Sequence, residues 1–417
     1  MIKLSKLNKW YKLDNAAKLF PPTTTLYDPK IFRFSCLLKE NVDKECLEKS
    51  VNKTLDDFPI FKSILKKSLF WYYLEETNIK ARVREEKTNP CESLNTPLLF
   101  EVTYYKNKIN LEVYHALSDG AGCTSFFENL IFNYLKIKHK LKDNTILTTS
   151  SNYEKETDSF SKYYNPSNKY KGKKKENAYQ LKGKWYPKGK LKIITGSTST
   201  SKMKDIAKKY NTTITGLLIS LVIKSMEDIL SIKEKKKPIS ITVPIDLRKY
   251  FKSKTVRNFF NVTNITYKFT KSNTTLEEIV EEVNKKLKES LTKESISANM
   301  TNLIRLEHFF IIRLVPLFIK NKVMKYTYKL TRKKQTMGLS NVGKITLPLS
   351  CRSYIDKFIV MNSTDVLELC IISYEDEISM SFSSHFINSE LEKNFFRLLK
   401  EYNLNITIYS NEIEGDD

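Results

Sequence analysis

One polar tract constrains this chain more than any other feature. Between Lys138 and Lys190 the sequence is dense in Lys, Asn, Ser, Thr and Tyr and poor in aliphatic residues. On each side of it, apolar residues alternate between strand-like and helix-like spacing. Before the tract, Ile31–Leu38 reads as a strand and Val42–Phe58 as an amphipathic helix with Asp43 in its first turn. Short β-type runs follow at Phe61–Leu65 and Leu69–Leu74. Leu98–Tyr105 and Ile109–Tyr114 then form a hairpin pattern about Lys106-Asn107-Lys108.

After the tract the pattern predicts a strand at Leu191–Thr195 and helices at Lys202–Tyr210 and Thr213–Leu230. It continues with β runs at Ile239–Val243, ending at Pro244, and Val256–Phe269, then a charged helix at Leu276–Leu287. Phe309–Phe318 is too short and too interrupted to span a bilayer and reads as a core or interfacial helix. Strands return over Gly338–Leu347 and Lys357–Phe386, with Leu391–Tyr402 a closing helix. Alternation on both sides means an α/β fold. The expected division is an N-terminal region 1–150, a connecting loop 151–188 and a C-terminal region 189–417. The tract itself reads as a linker or mobile surface loop, and its run Lys171–Lys175 as solvated.

Composition removes several classes. Of the 417 residues, 41% are hydrophobic and 12% aromatic, which excludes a disordered chain. The net charge is +24, yet only ten of the 71 basic residues are Arg. Nucleic-acid sites favour the planar fork of Arg, so a dispersed Lys excess points to a solvated surface, and no nucleic-acid partner is expected. The phosphates of a nucleotide-bearing cofactor would also suit such a surface. Cys36, Cys46, Cys91, Cys123, Cys351 and Cys370 are scattered, with no zinc-ligand spacing, and Met1–Phe20 has no continuous apolar core. These features read as a cytoplasmic protein with free thiols.

The chemistry concentrates at His115-x-x-x-Asp119-Gly120, in a tight loop that ends a β run and precedes a helical pattern starting near Thr124. Loops of this kind present reactive side chains on a rigid scaffold. A near-neutral histidine can take a proton from a hydroxyl or amine if its ring is held in one orientation. Asp119 would anchor that loop if an arginine reached it, and Gly120 and Gly122 would allow a sharp turn and close approach of a ligand. A buried histidine followed by an ordinary Asp-Gly turn is the plainer alternative. Far along the chain, Val243-Pro244-Ile245-Asp246-Leu247-Arg248 and Arg257-Asn258-Phe259-Phe260 offer Arg248 and Arg257 as partners for Asp119. A third piece, Leu339-Ser340-Asn341-Val342-Gly343, could donate to an oxyanion through Ser340 or Asn341.

In this order and at these separations, the three pieces resemble the acyl-CoA-dependent acyltransferase superfamily. That superfamily includes chloramphenicol acetyltransferase, peptide-synthetase condensation domains, the plant BAHD enzymes, and the alcohol acetyltransferases and polyketide-associated acyltransferases. Pro244-x-Asp246-Leu247-Arg248 and Ser340-Asn341-x-Gly343 are similar to the alcohol acetyltransferase branch. The resemblance implies two chloramphenicol-acetyltransferase-like lobes, each a mixed sheet with helices, forming a V with a central channel that donor and acceptor enter from opposite faces. It implies His115 as general base, Asp119 as a structural residue paired with Arg248, and a connecting role for the tract. It also implies acyl-CoA as co-substrate with a small-molecule acceptor, and no metal or permanently bound cofactor.

Two departures separate the chain from other branches. Condensation domains carry a second His just before the catalytic one, where this chain has Tyr114, and the Asp-Phe-Gly-Trp-Gly signature of the plant enzymes is missing. The expectation is therefore an O-acyltransferase, or an N-acyltransferase. Its rivals are a stand-alone condensation-type enzyme fed by an acyl carrier protein, and a non-catalytic basic binder on the same fold.

Overall fold

The computed structural model describes residues 8–166, 176–271, 273–305 and 310–411. Fifteen strands, numbered β1 to β15 along the chain, make three sheets among these residues. The run Lys171–Lys175 and the first residue of Phe309–Phe318 lie outside them.

A five-stranded sheet holds β2 (Ile31–Leu38), β5 (Val83–Glu85), β6 (Phe100–Tyr105), β7 (Lys108–Tyr114) and β12 (Ile355–Asn362), in the order β12-β2-β7-β6-β5. The hairpin β6–β7 turns through Lys106 at φ 50, and β7 runs antiparallel to β2, so that Tyr114 faces Ile31. The helices Lys44–Asp57 and Gly120–His139 cover this sheet, and Phe34, Phe126, Phe127 and Leu130 are among its buried core. Asp43 caps the first helix, accepting from the Cys46 amide at 2.8 Å.

A seven-stranded sheet takes the order β10-β9-β11-β13-β14-β8-β15. Its members are β8 (Lys192–Ser199), β9 (Ile239–Asp246), β10 (Phe260–Tyr267), β11 (Met337–Ile345), β13 (Leu367–Tyr374), β14 (Glu377–Ser384) and β15 (Thr407–Ser410). The helix Ile214–Glu227, apolar around nearly its whole circumference, is buried among this sheet and the helices Leu276–Ser290 and Glu390–Glu401. A small sheet of β1 (Trp10–Lys12), β3 (Ser63–Lys67) and β4 (Tyr72–Glu76) flanks the first lobe. The molecule is thus α/β with two sheet-rich lobes.

Three differences from the sequence reading have physical causes. Strand β9 continues through Pro244 to Asp246, because β11 pairs with β9 only as far as Thr242 and leaves that edge without a strand neighbour among the described residues. Residues 355–362, assigned by position to the C-terminal region, pair antiparallel with β2 and complete the N-terminal sheet. Both faces of this strand are apolar: Phe358 and Val360 enter the N-terminal core, while Ile359 and Met361 pack with Leu191 and Ile193. The first part of the polar tract is not a free loop. It forms short helices at Asn152–Glu156 and Ser159–Lys162, and buries Lys155, Glu156 and Phe160.

Candidate functional site

His115 follows directly on β7 and its main chain is fixed by the strand next door. The amide of His115 donates to the carbonyl of Lys30 at 2.8 Å, and Lys30 holds a left-handed φ of 61 just before β2. The Lys30 ammonium is tied in turn to Asp28 and to the Tyr328 hydroxyl. Tyr114, at the position where a second histidine would stand in a condensation domain, shares a hydrogen bond of 2.8 Å with the Thr24 hydroxyl.

The imidazole itself is half-buried and surrounded by aromatic rings. Phe20 stacks on it at 4.3 Å, and Phe32 and Phe260 approach at 5.0 and 5.6 Å. Its Nδ1 lies 3.1 Å from Oδ1 of Asn258. The Asn258 amide nitrogen faces two acceptors, the His115 carbonyl at 3.0 Å and Asp14 Oδ2 at 3.5 Å, so the oxygen must face the ring. An acceptor at Nδ1 places the proton there and leaves the lone pair on Nε2. Nε2 has no hydrogen-bond partner among the described residues and is not sealed from solvent. Burial pushes the imidazole below its ordinary value, against the opposing field of Asp119. The arrangement is a neutral, oriented imidazole with one free basic nitrogen.

Asp119 caps the helix Gly120–His139, accepting from the Gly122 amide at 2.9 Å. The helix therefore begins at Gly120 rather than near Thr124, because the cap shortens the loop. The same carboxylate accepts two parallel bonds of 3.0 Å from Arg248 and one of 2.7 Å from the Phe259 amide. Arg248 spends its remaining donors on Asp246, the Thr255 carbonyl and the Arg257 carbonyl. Every N–H of this guanidinium is thereby matched, which is what a buried fork requires. Arg257 does not reach Asp119. It donates to the carbonyls of Glu156 and Lys12, with Asp14 at 3.8 Å.

The two glycines of the motif differ. A side chain at Gly122 would collide with the Val256 carbonyl, whereas one at Gly120 would meet only Val342, at 3.7 Å. That contact brings β11 to the motif loop. On β11, Ser340 is half-buried, and its hydroxyl is neither bonded among the described residues nor sealed off. Asn341 is exposed and occupied: its amide donates to Thr215 at 3.0 Å and its oxygen accepts from the Gly343 amide at 3.0 Å.

Several residues of the site carry no strong signal in sequence. Asn258 lies inside the Arg257–Phe260 string but is an ordinary polar residue there, and Phe20 precedes two prolines without any pattern that points to His115. Glu368 is an acid inside the apolar run Leu367–Ile372, a signal of a kind. Its carboxyl lies over Gly338, where a side chain would strike it, and burial raises it to about 8.

No protein-family model matches the sequence, and no curated protein matches it. Solved structures do. TRI101 of F. graminearum, solved with coenzyme A and deoxynivalenol, matches with a TM-score of 0.64 at 12% identity, over 95% of this chain and 99% of that one. The TRI3 trichothecene 15-O-acetyltransferase of Fusarium sporotrichioides matches at 0.61 and 12%, over 95% and 94%. The starter condensation domain of rhizomide synthetase RzmA matches at 0.55 and 9%, over 95% and 96%. Over nearly its whole length, the chain has the two-lobed fold of the TRI101 and TRI3 structures and of the condensation domain.

Proposed function

We propose that the protein is an acyltransferase that moves an acyl group from acyl-CoA to the hydroxyl, or amine, of a small-molecule acceptor. One observation carries this reading: the Asn258 oxygen orients the His115 imidazole and leaves Nε2 bare, in a setting that keeps the ring neutral. In the proposed step, Nε2 takes the acceptor proton as the acceptor oxygen or nitrogen attacks the thioester carbonyl. The tetrahedral oxyanion is met by the Ser340 hydroxyl, which bonds no other described residue, rather than by Asn341, whose side chain is exposed and tied to Thr215 and Gly343. Collapse expels the CoA thiolate, which receives the same proton back from His115. Asp119 and Arg248 do not touch the reactants; they hold the loop and the start of the helix in place. The reaction needs no metal and no covalent enzyme intermediate. The two reactants are proposed to meet in a channel between the lobes.

The test is thiol release by the purified protein across a panel of acyl-CoA donors and alcohol or amine acceptors, with products read by mass spectrometry. His115→Ala is expected to lower turnover by roughly two orders of magnitude or more, the scale of a lost general base. Wild-type rates in that variant would overturn the mechanism. Turnover only with a carrier-protein-bound donor would move the assignment to a condensation-type enzyme.

A further inference from the structure

The helix Leu317–Arg332 is amphipathic in the wrong sense for a surface helix. Its inward face carries Leu317, Asn321, Met324 and Tyr328; Asn321 donates to the Tyr72 hydroxyl at 2.9 Å, and Tyr328 accepts from Lys30. Its outward face carries Ile319, Val323, Tyr326 and Leu330. At ~100° per residue these four fall within about 60° of arc, on the side opposite the packed face. Val323 is 59% exposed and Tyr326 66%. Phe318, also exposed, lies at the helix start on the flank beside the stripe, where the Leu317 amide bonds the Leu69 carbonyl and brings up exposed Leu69 and Trp71. A contiguous exposed apolar surface of this kind marks an interaction site.

The charges beside the stripe identify the partner. Lys322, Lys325 and Lys329 are exposed along one flank, and no Asp or Glu occurs between Glu307 and Asp356. Arg332, the sole arginine of the helix, is already paired with Asp365 at 2.8 Å. Cores of protein–protein interfaces favour Arg and are depleted in Lys, so this composition does not suit a protein partner. Aliphatic and aromatic side chains projecting between lysines, whose stems can lie along apolar matter while their heads stay in water, suit a bilayer interface.

We propose that this face docks on an anionic lipid bilayer, with the helix lying in the plane of the headgroups. The Leu317–Arg332 helix packs on the short helix Phe20–Thr23, whose Phe20 stacks on His115. Docking therefore sets the lipid surface one element away from the candidate site. The inference does not depend on the reaction assigned to that site.

The experiment is co-sedimentation of the full chain with phosphatidylcholine vesicles, with and without phosphatidylglycerol. Wild type is expected to pellet with the anionic vesicles and to be released by added salt. Ile319→Ser, Val323→Ser and Leu330→Ser combined should lower binding by roughly tenfold or more. Lys322→Glu, Lys325→Glu and Lys329→Glu combined should abolish the preference for anionic vesicles. A thermal melt confirms that each variant is folded, and a blue shift of Trp71 emission, absent in Trp71→Phe, reports insertion independently. Wild type that stays in the supernatant with both vesicles overturns the proposal, as does unchanged binding by the serine variant. Serine-sensitive capture of an acidic carrier protein, with vesicles ignored, would overturn it in favour of a protein partner. Vesicle binding without thiol release leaves the docking intact and removes the acyltransferase reading.

Discussion

Asn258 decides what His115 can do. As a neutral acceptor it fixes the ring without adding charge, and burial, the largest influence on the imidazole, carries its titration down against the opposing field of Asp119. The base form then persists to lower pH, and activity is expected to rise through a midpoint below the ordinary histidine value of 6.5 and stay flat above it. Asn258→Asp would put a carboxylate against Nδ1–H and stabilise the imidazolium. The acid limb of the pH–rate profile should move upward in that variant, and an unmoved limb would show that Asn258 does not act on the ring. Asp119 belongs to a different kind of interaction. Asp119→Ala leaves the buried Arg248 guanidinium without its carboxylate, a loss on the scale of about 3–5 kcal/mol. Denaturant unfolding should show that loss directly, and wild-type stability would contradict the structural role.

At the scale of the element, the helix Gly120–His139 is positioned from both ends of one turn. Asp119 caps it, and the close passage of Val256 over Gly122 presses it against the loop that leads into β10. Gly122→Ala is expected to destabilise the protein by about 1–3 kcal/mol or more through overpacking against rigid backbone. Gly120→Ala has ordinary space beside Val342 and should be tolerated for folding. Equal melting temperatures for the two variants would refute this account. The helix Leu317–Arg332 shows why some elements escape sequence reading. Its packed face includes Asn321 and Tyr328 while its apolar stripe faces outward, so the spacing of apolar residues does not mark a buried face. Strand β9 shows the reverse case, where Pro244 signals an end that the free edge makes unnecessary.

Over the whole molecule, three buried or half-buried carboxyls share one trend. Burial holds Asp14 at about 6, Glu128 at about 7 and Glu368 at about 8, against ordinary values of 3.8 for Asp and 4.5 for Glu. The folded state therefore keeps protons that the unfolded chain releases. The stability this gives is fully present below about pH 4 and is lost as pH rises through 6 to 8. Melting temperature is expected to fall across that window, and Glu368→Gln, which cannot ionise, should flatten its upper part. A Glu368→Gln profile parallel to wild type between pH 6 and 8 would contradict the trend.

The sequence alone determined the α/β alternation, because strand and helix periods are local properties of the chain, and it marked the His115–Gly120 loop, because strand, tight turn and helix follow one another there. Only the tertiary structure decided which partners meet. Arg248 and Arg257 are nine residues apart and equally arginine, yet the fold turns one to Asp119 and the other to the Glu156 and Lys12 carbonyls. Ser340 and Asn341 are neighbours, and strand alternation leaves the first without a bond among the described residues while the second reaches Thr215 and Gly343. Strand β12 joins the N-terminal sheet across more than 300 residues of chain. Local pattern records what a segment can become; pairing between distant segments depends on complementary faces that meet only when the whole chain has closed.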